Sequence, residues 1–349
     1  MNVSLDFFIV LFVMHTKKHN LSKKILSWYD NNKRILPWRL GPKAKKEQYY
    51  RLLSEFMLQQ TQVKTVIPYF KNFVNKIPNL KVLSTSNEKT ILKLWEGLGY
   101  YRRAKNLHKT AKILTKNYNG KLPKEFDEIK NLPGVGEYTA NALLALVYNQ
   151  PRIPFDGNIK RVFSRLFNTN LEKNEKRTKR IINEQFYTNR NGNLAEALME
   201  FGAVICKPSN PLCNICNLKT NCYFFKNKTS VLVNKKRQEK EKKYNVYCYL
   251  KKQKKEIALT KNKNFGFLSN FNIPETKVVK SNNKQNNGWT YLCNYKNNIS
   301  NIKMDINLFY KFIKNKPEKY TWYPIDRWSN EFIPSFTKKI FKKIAKVYN

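Results

Sequence analysis

Hydrophobic residues recur at steps of three and four positions between about residues 21 and 226. The clearest series consists of Val63, Val66, Ile67, Phe70, Val74 and Ile77. Such spacing places apolar side chains on one face of a helix. A second helix is predicted within residues 123–133, between two prolines, and a third is marked by Leu143, Leu144 and Val147. This part of the chain is therefore predicted to be helical.

The pattern changes after residues 226–243, a lysine-rich polar stretch that is predicted to be a linker. Beyond it, apolar and polar residues alternate in short runs that predict β-strands. The runs are Tyr244–Leu250, Glu256–Thr260, Trp289–Cys293, Ile302–Ile306 and Tyr320–Tyr323. With a closing helix near Ser335–Val347, residues 244–349 are predicted to form a smaller α+β domain after a mainly α region at 15–225.

The chain begins with an apolar run, Leu5–Met14, which is too short to span a bilayer. The run also lacks a preceding basic region and a following cleavage site of small residues, so a signal peptide is not predicted. Residues 1–14 are therefore expected to be an extra, disordered segment. The protein is expected to be cytoplasmic.

The composition is strongly basic, because 67 Lys and Arg against 24 Asp and Glu give a formal net charge of +43. Such a charge favours a polyanionic partner, and nucleic acid is the first candidate. The alternative is a lysine- and asparagine-rich surface without functional meaning, which runs such as Ser281–Gly288 support. Only 11 residues are glycine, and five of them fall in three short motifs. Because glycine is kept where the backbone needs unusual conformations, these motifs are candidate functional sites.

The first motif is Leu132-Pro133-Gly134-Val135-Gly136, set between two predicted helices. Backbone N–H groups at such a hairpin, together with the dipole of the following helix, bind a phosphate without a charged side chain. Leu132, Gly134, Val135 and Gly136 are therefore candidate DNA contacts in a helix–hairpin–helix element. An ordinary tight turn is the alternative.

Two carboxylates form a candidate pair for cleavage of a glycosidic bond, which commonly uses one acid and one stabilising carboxylate. Glu55 lies between Leu52 and Leu58 on a partly apolar helix face, where desolvation would raise its pKa and suit it to deliver a proton. Asp156, one of only six aspartates, stands at the N-cap of a predicted helix. The alternatives are a carboxylate at the rim of the core, paired with Arg51, and a simple surface cap.

Another of the glycine-containing motifs, residues 97–103, places Tyr100 and Tyr101 in a glycine-bounded turn beside two arginines. An aromatic side chain there can wedge into a base stack while the arginines hold phosphates, as extrusion of a base requires. Tyr100 is therefore a candidate DNA contact.

Four of the six cysteines crowd into one segment with the spacing Cys206-x6-Cys213-x2-Cys216-x5-Cys222. A disulfide framework is not expected, because the rest of a long chain would remain unlinked. Four thiolates so close together indicate a metal or cluster site. Zinc is the alternative to an iron–sulfur cluster, although zinc loops favour two C-x2-C pairs and this segment has one.

Several of these stretches resemble the adenine DNA glycosylase family of the endonuclease III superfamily. They are SEFMLQQTQV, LWEGLGYYRRAKNLHK, LPGVGEYTANA, DGNIKRV and the cysteine spacing, and the similarity runs from about Ser27, through Leu36-Pro37-Trp38-Arg39, to Cys222. The resemblance implies a helix–hairpin–helix glycosylase fold with its active site between two helical subdomains. It also implies that the four cysteines hold a [4Fe-4S] cluster.

The same resemblance implies roles for individual residues. Glu55 would protonate the adenine ring and handle the water, while Asp156 would stabilise or trap the sugar cation. Tyr138 and Asn158 would orient groups and hydrogen-bond within the site. The implied DNA contacts include two residues that fill and wedge the base stack as adenine flips out. They are Gln60 and Tyr100, with Lys160 of the DGNIKRV stretch.

Tyr138 separates two activities within this superfamily. Endonuclease III has a Schiff-base lysine at the corresponding position, two residues after the second hairpin glycine, and tyrosine cannot form the imine. The sequence therefore predicts a monofunctional enzyme that removes the base and leaves the strand intact. The alternatives are a bifunctional glycosylase and lyase acting on oxidised pyrimidines, and a DNA-binding protein that has lost catalysis.

The second domain resembles the family only in traces, such as Gly266-Phe267-Leu268 and Pro274. In the family this domain usually has a Nudix-like fold that contacts 8-oxoguanine opposite the adenine. Ser300 and Asn301 are the candidate contacts, in an Ile-Ser-Asn stretch where better-known members have Phe-Ser-His. The implied partner is duplex DNA with adenine opposite 8-oxoguanine or guanine. The protein is expected to be a monomer associated with the nucleoid and not with a membrane.

Overall fold

The structure, a computed structural model, describes most of the chain. The described residues are 21–41, 47–168, 186, 188–227, 240–261, 268, 271–280, 288–299, 302–315, 317–325 and 333–348. The predicted disordered segment 1–14 and most of the predicted linker lie outside these ranges. Contacts between Cα atoms divide the chain into a first unit, Met1–Ser86 with Arg102–Asn234, and a second unit, Asn87–Tyr101 with Lys235–Asn349.

All regular elements described in the first unit are helical, which confirms the predicted helical region. The helices are α1 (21–32), α2 (Glu47–Leu58), α3 (Val63–Lys76), α4 (Leu80–Thr85), α6 (Arg102–Asn117), α7 (Phe126–Lys130), α8 (Glu137–Tyr148), α9 (Gly157–Phe167), α10 (Asn191–Val204) and α11 (Tyr223–Asn227), while α5 (Glu88–Leu94) belongs to the second unit. Within the described ranges, no helix is long and apolar enough to cross a membrane.

The predicted hydrophobic faces become buried faces, with some changes of length. Helix α3 buries Val66, Phe70 and Phe73. Helix α7 is shorter than the predicted segment 123–133 and ends before Pro133. The residue before a proline disfavours the helical conformation, and the backbone turns there, with the Val135 N–H donating to the Leu132 carbonyl at 3.0 Å.

The end of α2 is fixed by Arg103 of α6. Its Nη1 atom donates to the carbonyl oxygens of Phe56, Met57 and Gln59 at 3.0, 2.7 and 2.5 Å. The last carbonyl groups of a helix have no donor within the helix, and this buried guanidinium satisfies them. The expectation that both arginines at 102–103 hold phosphates is therefore wrong for Arg103.

The second unit contains a mixed sheet. Its strands are β1 (Lys240–Lys251), β2 (Glu256–Lys261), β3 (Asn272–Ile273), β4 (Glu275–Val279), β5 (Thr290–Ile299), β6 (Ile302–Phe312) and β7 (Thr321–Pro324). The main order is β3-β2-β1-β6-β5, with β4 paired to β1 and β7 to β2. Strands β1 and β6 run parallel. Helix α12 (Ser335–Ile344) packs Phe336, Ile340 and Phe341 into the same core as Ile306 and Leu308 of β6.

The five predicted strands and the closing helix are present, but several bounds differ. Strand β1 begins at Lys240, inside the predicted linker, because its charged first residues pair in register with β6. Strand β5 continues beyond Cys293 to Ile299 along the same neighbour. Asparagine and lysine residues hide the alternation in this strand. The sequence pattern does not predict β3 or β4.

Residues 87–101 belong to the second unit, although the sequence places them within the helical region 15–225. Glu96 forms an ion pair with Lys338 of α12 at 2.7 Å. The ring of Tyr101 lies 5.2 Å from that of Phe271, edge to face. These contacts join sequence segments that are far apart, which local patterns cannot anticipate.

We expect Gly192→Ala to destabilise the first unit. A Cβ atom at Gly192, in the first turn of α10, would lie 2.7 Å from the carbonyl oxygen of Ala145 in α8. Overpacking of this kind costs about 1–3 kcal/mol, which exceeds the gain in helix propensity of about 1 kcal/mol. Thermal unfolding followed by circular dichroism measures the difference. Gly41→Ala is the control, because an added Cβ there meets nothing within 4 Å; equal effects of the two substitutions would contradict the prediction.

Candidate active site

Glu55 of α2 opens into a cavity of about 180 Å³ in the first unit. The cavity is also lined by Tyr138 of α8, by Asp156 at the start of α9, and by Glu196 and Glu200 of α10. An apolar cavity of about 150 Å³ holds a benzene ring, so this one is on the scale of a flat aromatic group. The structure thus brings both candidate catalytic carboxylates to one cavity.

The carboxyl group of Glu55 is almost completely enclosed. The residue is 5% exposed, and its Oε2 atom has no hydrogen-bond partner among the described residues. Burial raises the pKa of Glu55 to about 7, against the opposing effects of the Arg51 guanidinium and the Tyr138 hydroxyl group. Desolvation disfavours the charged form, so Glu55 is able to carry a proton near neutral pH.

Asp156 caps α9, as the sequence predicts. Its Oδ1 atom accepts from the Ile159 N–H at 2.7 Å, and its Oδ2 atom accepts from Asn158 Nδ2 at 2.8 Å. Burial raises the pKa of Asp156, while these hydrogen bonds act to lower it. Donors of this kind hold the carboxylate in one orientation at the edge of the cavity.

The backbone of the hairpin lies close to neighbouring side chains at Gly134. Gly134 has φ +81°, and a Cβ there would lie 2.7 Å from Asn106 Cβ and 2.9 Å from a ring carbon of Phe56. Gly136 is the N-cap of α8. Leu132 and Val135 are buried. The hairpin therefore presents backbone atoms at the start of α8, as the sequence predicts.

Tyr138 lies in the first turn of α8 and lines the cavity beside Glu55. Its hydroxyl group donates to Met199 Sδ at 3.4 Å. Burial raises the pKa of Tyr138 well above its ordinary value, so the phenol stays neutral. A neutral hydroxyl group beside Glu55 can orient a proton but cannot act as an amine nucleophile.

The remaining candidate DNA contacts are only partly described. Gln60 follows α2 and has φ +56°, and Tyr100 in the second unit has φ +48°. Tyr100 is 40% exposed, and Lys160 on α9 is half-buried. Ser300 and Asn301 lie outside the described residues, between the end of β5 and the start of β6. Gln60 and Lys160 belong to the first unit and Tyr100 to the second.

A network of buried ion pairs lines the cavity, and most of its members were missed in the sequence. Glu196 accepts from Tyr29 Oη at 2.6 Å, Arg39 Nε at 3.0 Å and Arg51 Nη1 at 2.5 Å. Glu200 forms ion pairs at 2.5 Å with Arg34 and 2.9 Å with Arg39. Although burial acts to raise the pKa values of Glu196 and Glu200, the arginines lower both. The one local signal was that Glu196 and Glu200 share a helix face at a spacing of four.

A chain of hydrogen bonds links Asp156 to the cysteine segment. Asn158 donates to Asp156 and accepts from Arg161 Nη2, both at 2.8 Å. Arg161 also donates from Nε to the Cys206 carbonyl oxygen at 2.8 Å. Gly202 makes room for this arrangement, because a Cβ there would lie 2.6 Å from Asn158 Cβ. Asn158, predicted to hydrogen-bond within the site, therefore orients Asp156.

The four clustered cysteines line one small cavity and are not disulfide-bonded. Arg165 closes one side, donating to Cys206 Sγ at 3.3 Å and to the Lys207 carbonyl at 2.7 Å. In the described part of the chain, no group of His, Cys, Asp or Glu side chains is arranged to hold a metal ion. Four thiols that line one cavity are nevertheless a donor set that both a zinc ion and an iron–sulfur cluster use.

Comparison with known proteins agrees with this geometry. Residues 53–187 match the family model of the HhH-GPD superfamily base excision DNA repair protein. The chain is 36% identical over 343 residues to an adenine DNA glycosylase of Buchnera aphidicola subsp. Baizongia pistaciae, which covers 92% of this chain and 96% of that protein. It is 39% identical to the adenine DNA glycosylase of Buchnera aphidicola subsp. Schizaphis graminum, over 63% of each chain.

Among solved structures, a thermostable thymine-DNA glycosylase superimposes with a TM-score of 0.53 and 27% identity, covering 60% of this chain and 97% of that one. Together with the near full-length relative, this similarity agrees with the helical fold of the first unit. The chain belongs to the adenine DNA glycosylase family, within the HhH-GPD superfamily.

Proposed function

We propose that this enzyme is a monofunctional DNA glycosylase that hydrolyses the N-glycosidic bond of adenine mispaired with 8-oxoguanine or guanine in duplex DNA. The observation that carries the proposal is the placement of two carboxyl groups, that of buried Glu55 and that of half-buried Asp156, on one cavity that Tyr138 of α8 also lines. Adenine as the base is inferred from the names of the relatives. Duplex DNA as the partner agrees with the net charge of +43.

Glu55 is the general acid in this proposal. With a pKa of about 7 it carries a proton in a large fraction of molecules near neutral pH. Donation of that proton to the ring of a flipped adenine makes the base a neutral leaving group. The ionised carboxylate then accepts a proton from the attacking water, so one residue serves both steps.

Asp156 is the stabilising carboxylate. Its two hydrogen bonds, from Ile159 and Asn158, oppose the effect of burial on its pKa and favour the ionised form. A fixed negative charge stabilises the positive charge that develops on the sugar in an oxocarbenium-like transition state. Tyr138 and Asn158 orient the two carboxyl groups.

DNA binding is assigned to both units. The hairpin offers the N–H groups of Gly134 and Gly136 and the N-terminus of α8 to a phosphate, since the N–H groups of Leu132 and Val135 donate to carbonyl groups of the protein, and Lys160 adds a charge. Gln60 and Tyr100 fill and wedge the base stack when adenine is extruded. Ser300 and Asn301, in a second domain of Nudix-like type, contact 8-oxoguanine opposite the adenine.

A [4Fe-4S] cluster is proposed as the cofactor, held by Cys206, Cys213, Cys216 and Cys222. When bound, such a cluster supplies four bonds to thiolates that fix the fold of this segment. Arg165 supports the site by donating to Cys206 Sγ and to the neighbouring carbonyl groups.

Adenine should be released without cleavage of the strand. Duplexes with adenine opposite 8-oxoguanine or opposite guanine should give an abasic product that breaks only after alkali, because Tyr138 offers no amine for an imine. Denaturing gels before and after alkali measure this outcome. Strand breaks without alkali, together with a protein–DNA adduct trapped by borohydride, would show a lyase instead.

Glu55→Gln should lower the single-turnover rate of adenine release by about 10²–10⁴-fold, the usual worth of general acid catalysis, and leave duplex binding intact. For the native enzyme the rate should fall as pH rises through about 7, since the acid loses its proton there. It should also fall at acidic pH, where Asp156 becomes protonated. Glu128→Gln makes the same chemical change on exposed α7 and is the control; a Glu55→Gln rate close to the native rate would remove Glu55 from the role.

The purified protein should be brown and contain iron and labile sulfide in equal amounts. Cys213→Ser should reduce the visible absorption and the iron content, because one ligand is lost. Absorption spectra and metal analysis measure both. Cys248→Ser, at a buried cysteine of the sheet, is the matched control and should retain the cluster. A colourless native protein with stoichiometric zinc would refute the assignment.

A further inference from the structure

Arg51 is a buried cation placed one helical turn before Glu55 on α2. It is 6% exposed and lowers the pKa of Glu55. At short range a guanidinium normally stabilises the ionised form of a carboxylic acid, which loses its proton to solvent and forms an ion pair with the guanidinium. Among the described residues, however, Glu55 has no salt bridge. Another interaction therefore keeps Arg51 from forming an ion pair with Glu55.

The guanidinium is held by other carboxylates. Its Nη1 atom lies 2.5 Å from Glu196 Oε1, and its Nε atom lies 3.7 Å from Glu47 Oε1. Glu196 is itself fixed by Tyr29 and Arg39, at 2.6 and 3.0 Å. These donors keep Glu196 ionised and aimed at Arg51.

We propose that Glu196 is a positioning residue that holds and neutralises Arg51, and that it thereby leaves Glu55 free to carry the catalytic proton. The proposal rests on the proposed role of Glu55 and adds the groups that make this role possible. In this role Glu196 acts through Arg51, although it also lines the cavity.

The charge balance around the cavity supports this assignment. Three arginines line it, and each has a carboxylate partner: Arg34 pairs with Glu200, Arg39 with both Glu196 and Glu200, and Arg51 with Glu196. The other groups that face Glu55 are the Tyr138 hydroxyl of α8, which lowers its pKa, and Asp156 at α9 and Glu196 of α10, which raise it. Arg51 is thus the cation whose pairing decides the protonation of Glu55.

The test measures Glu55 directly in the full-length protein without DNA. The variants are Arg51→Met, Glu196→Gln and the double variant, and the pKa of Glu55 follows from carbon NMR of side-chain-labelled glutamate, assigned by the signal absent in Glu55→Gln. Glu196→Gln should lower the pKa by about one unit or more, as an unshared opposite charge does. Arg51→Met should raise it, and the double variant should lie between Arg51→Met and the native protein.

Activity gives the second measurement. For Glu196→Gln the alkaline limb of the pH–rate profile should move to lower pH, so that adenine release at about pH 8 falls by about tenfold. For Arg51→Met the limb should move to higher pH. Asp30→Asn, which removes an ion pair with Arg190 outside the cavity, is the control and should move neither limb.

The outcomes separate the two proposals. If adenine is not released by the native protein, the proposed function fails, while the NMR titration still tests the pair. If Glu196→Gln and Arg51→Met shift the pKa of Glu55 in the same direction, or leave it unchanged, the positioning role is overturned. The double variant guards against loss of folding, because it removes the charges of Arg51 and Glu196 together, so that neither of these two is left buried without the other.

Discussion

The active cavity depends on one buried carboxylate, that of Glu196. It accepts hydrogen bonds from Tyr29 of α1, from Arg39 in the segment that follows, and from Arg51 of α2. Burying an ion costs on the order of several kcal/mol, and good geometry with several donors is needed to offset that cost. Because the donors come from separate segments, the carboxylate on α10 fixes where those segments meet. Because Arg51 of α2 is bound to Glu196, Glu55, one turn further along the same helix, is positioned in the cavity.

Carboxyl groups that line the same cavity differ in the direction of their pKa shifts, because some are paired with arginines and others are not. Glu196 and Glu200 are paired with arginines and have lowered pKa values, so they stay ionised. Glu55 is equally buried but lacks such a partner among the described residues, and its pKa rises to about 7. Burial also raises the pKa of Asp156, while its hydrogen bonds act to lower it. The different surroundings of these carboxyl groups therefore distinguish the proposed acid from the ion-paired carboxylates and from the proposed stabilising carboxylate.

Features encoded in short stretches of sequence could be predicted, and those built from distant residues could not. The N-cap at Asp156 and the spacing of the four cysteines are local, and the helical pattern is repetitive. The contact between Arg39 and Glu196 joins residues 157 positions apart, and no local pattern marks it. Strand β5 was predicted too short because its asparagines and lysines obscure the alternation that pairing with β6 imposes. The burial of Arg103 was missed because its acceptors lie at the end of α2 and just after it, far from Arg103 in the sequence.

Helix α9 connects the cysteine segment to Asp156, the proposed stabilising carboxylate. Asp156 caps its first turn, Arg161 one turn later joins Asn158 to the Cys206 carbonyl, and Arg165 one turn further binds the segment again. A helix of 11 residues is rigid on the scale of these contacts. Gly202 completes the joint, because its carbonyl accepts from Arg161 and its missing side chain admits Asn158. The orientation of Asp156 is therefore tied to the fold of the cysteine segment, although no cysteine reaches the cavity.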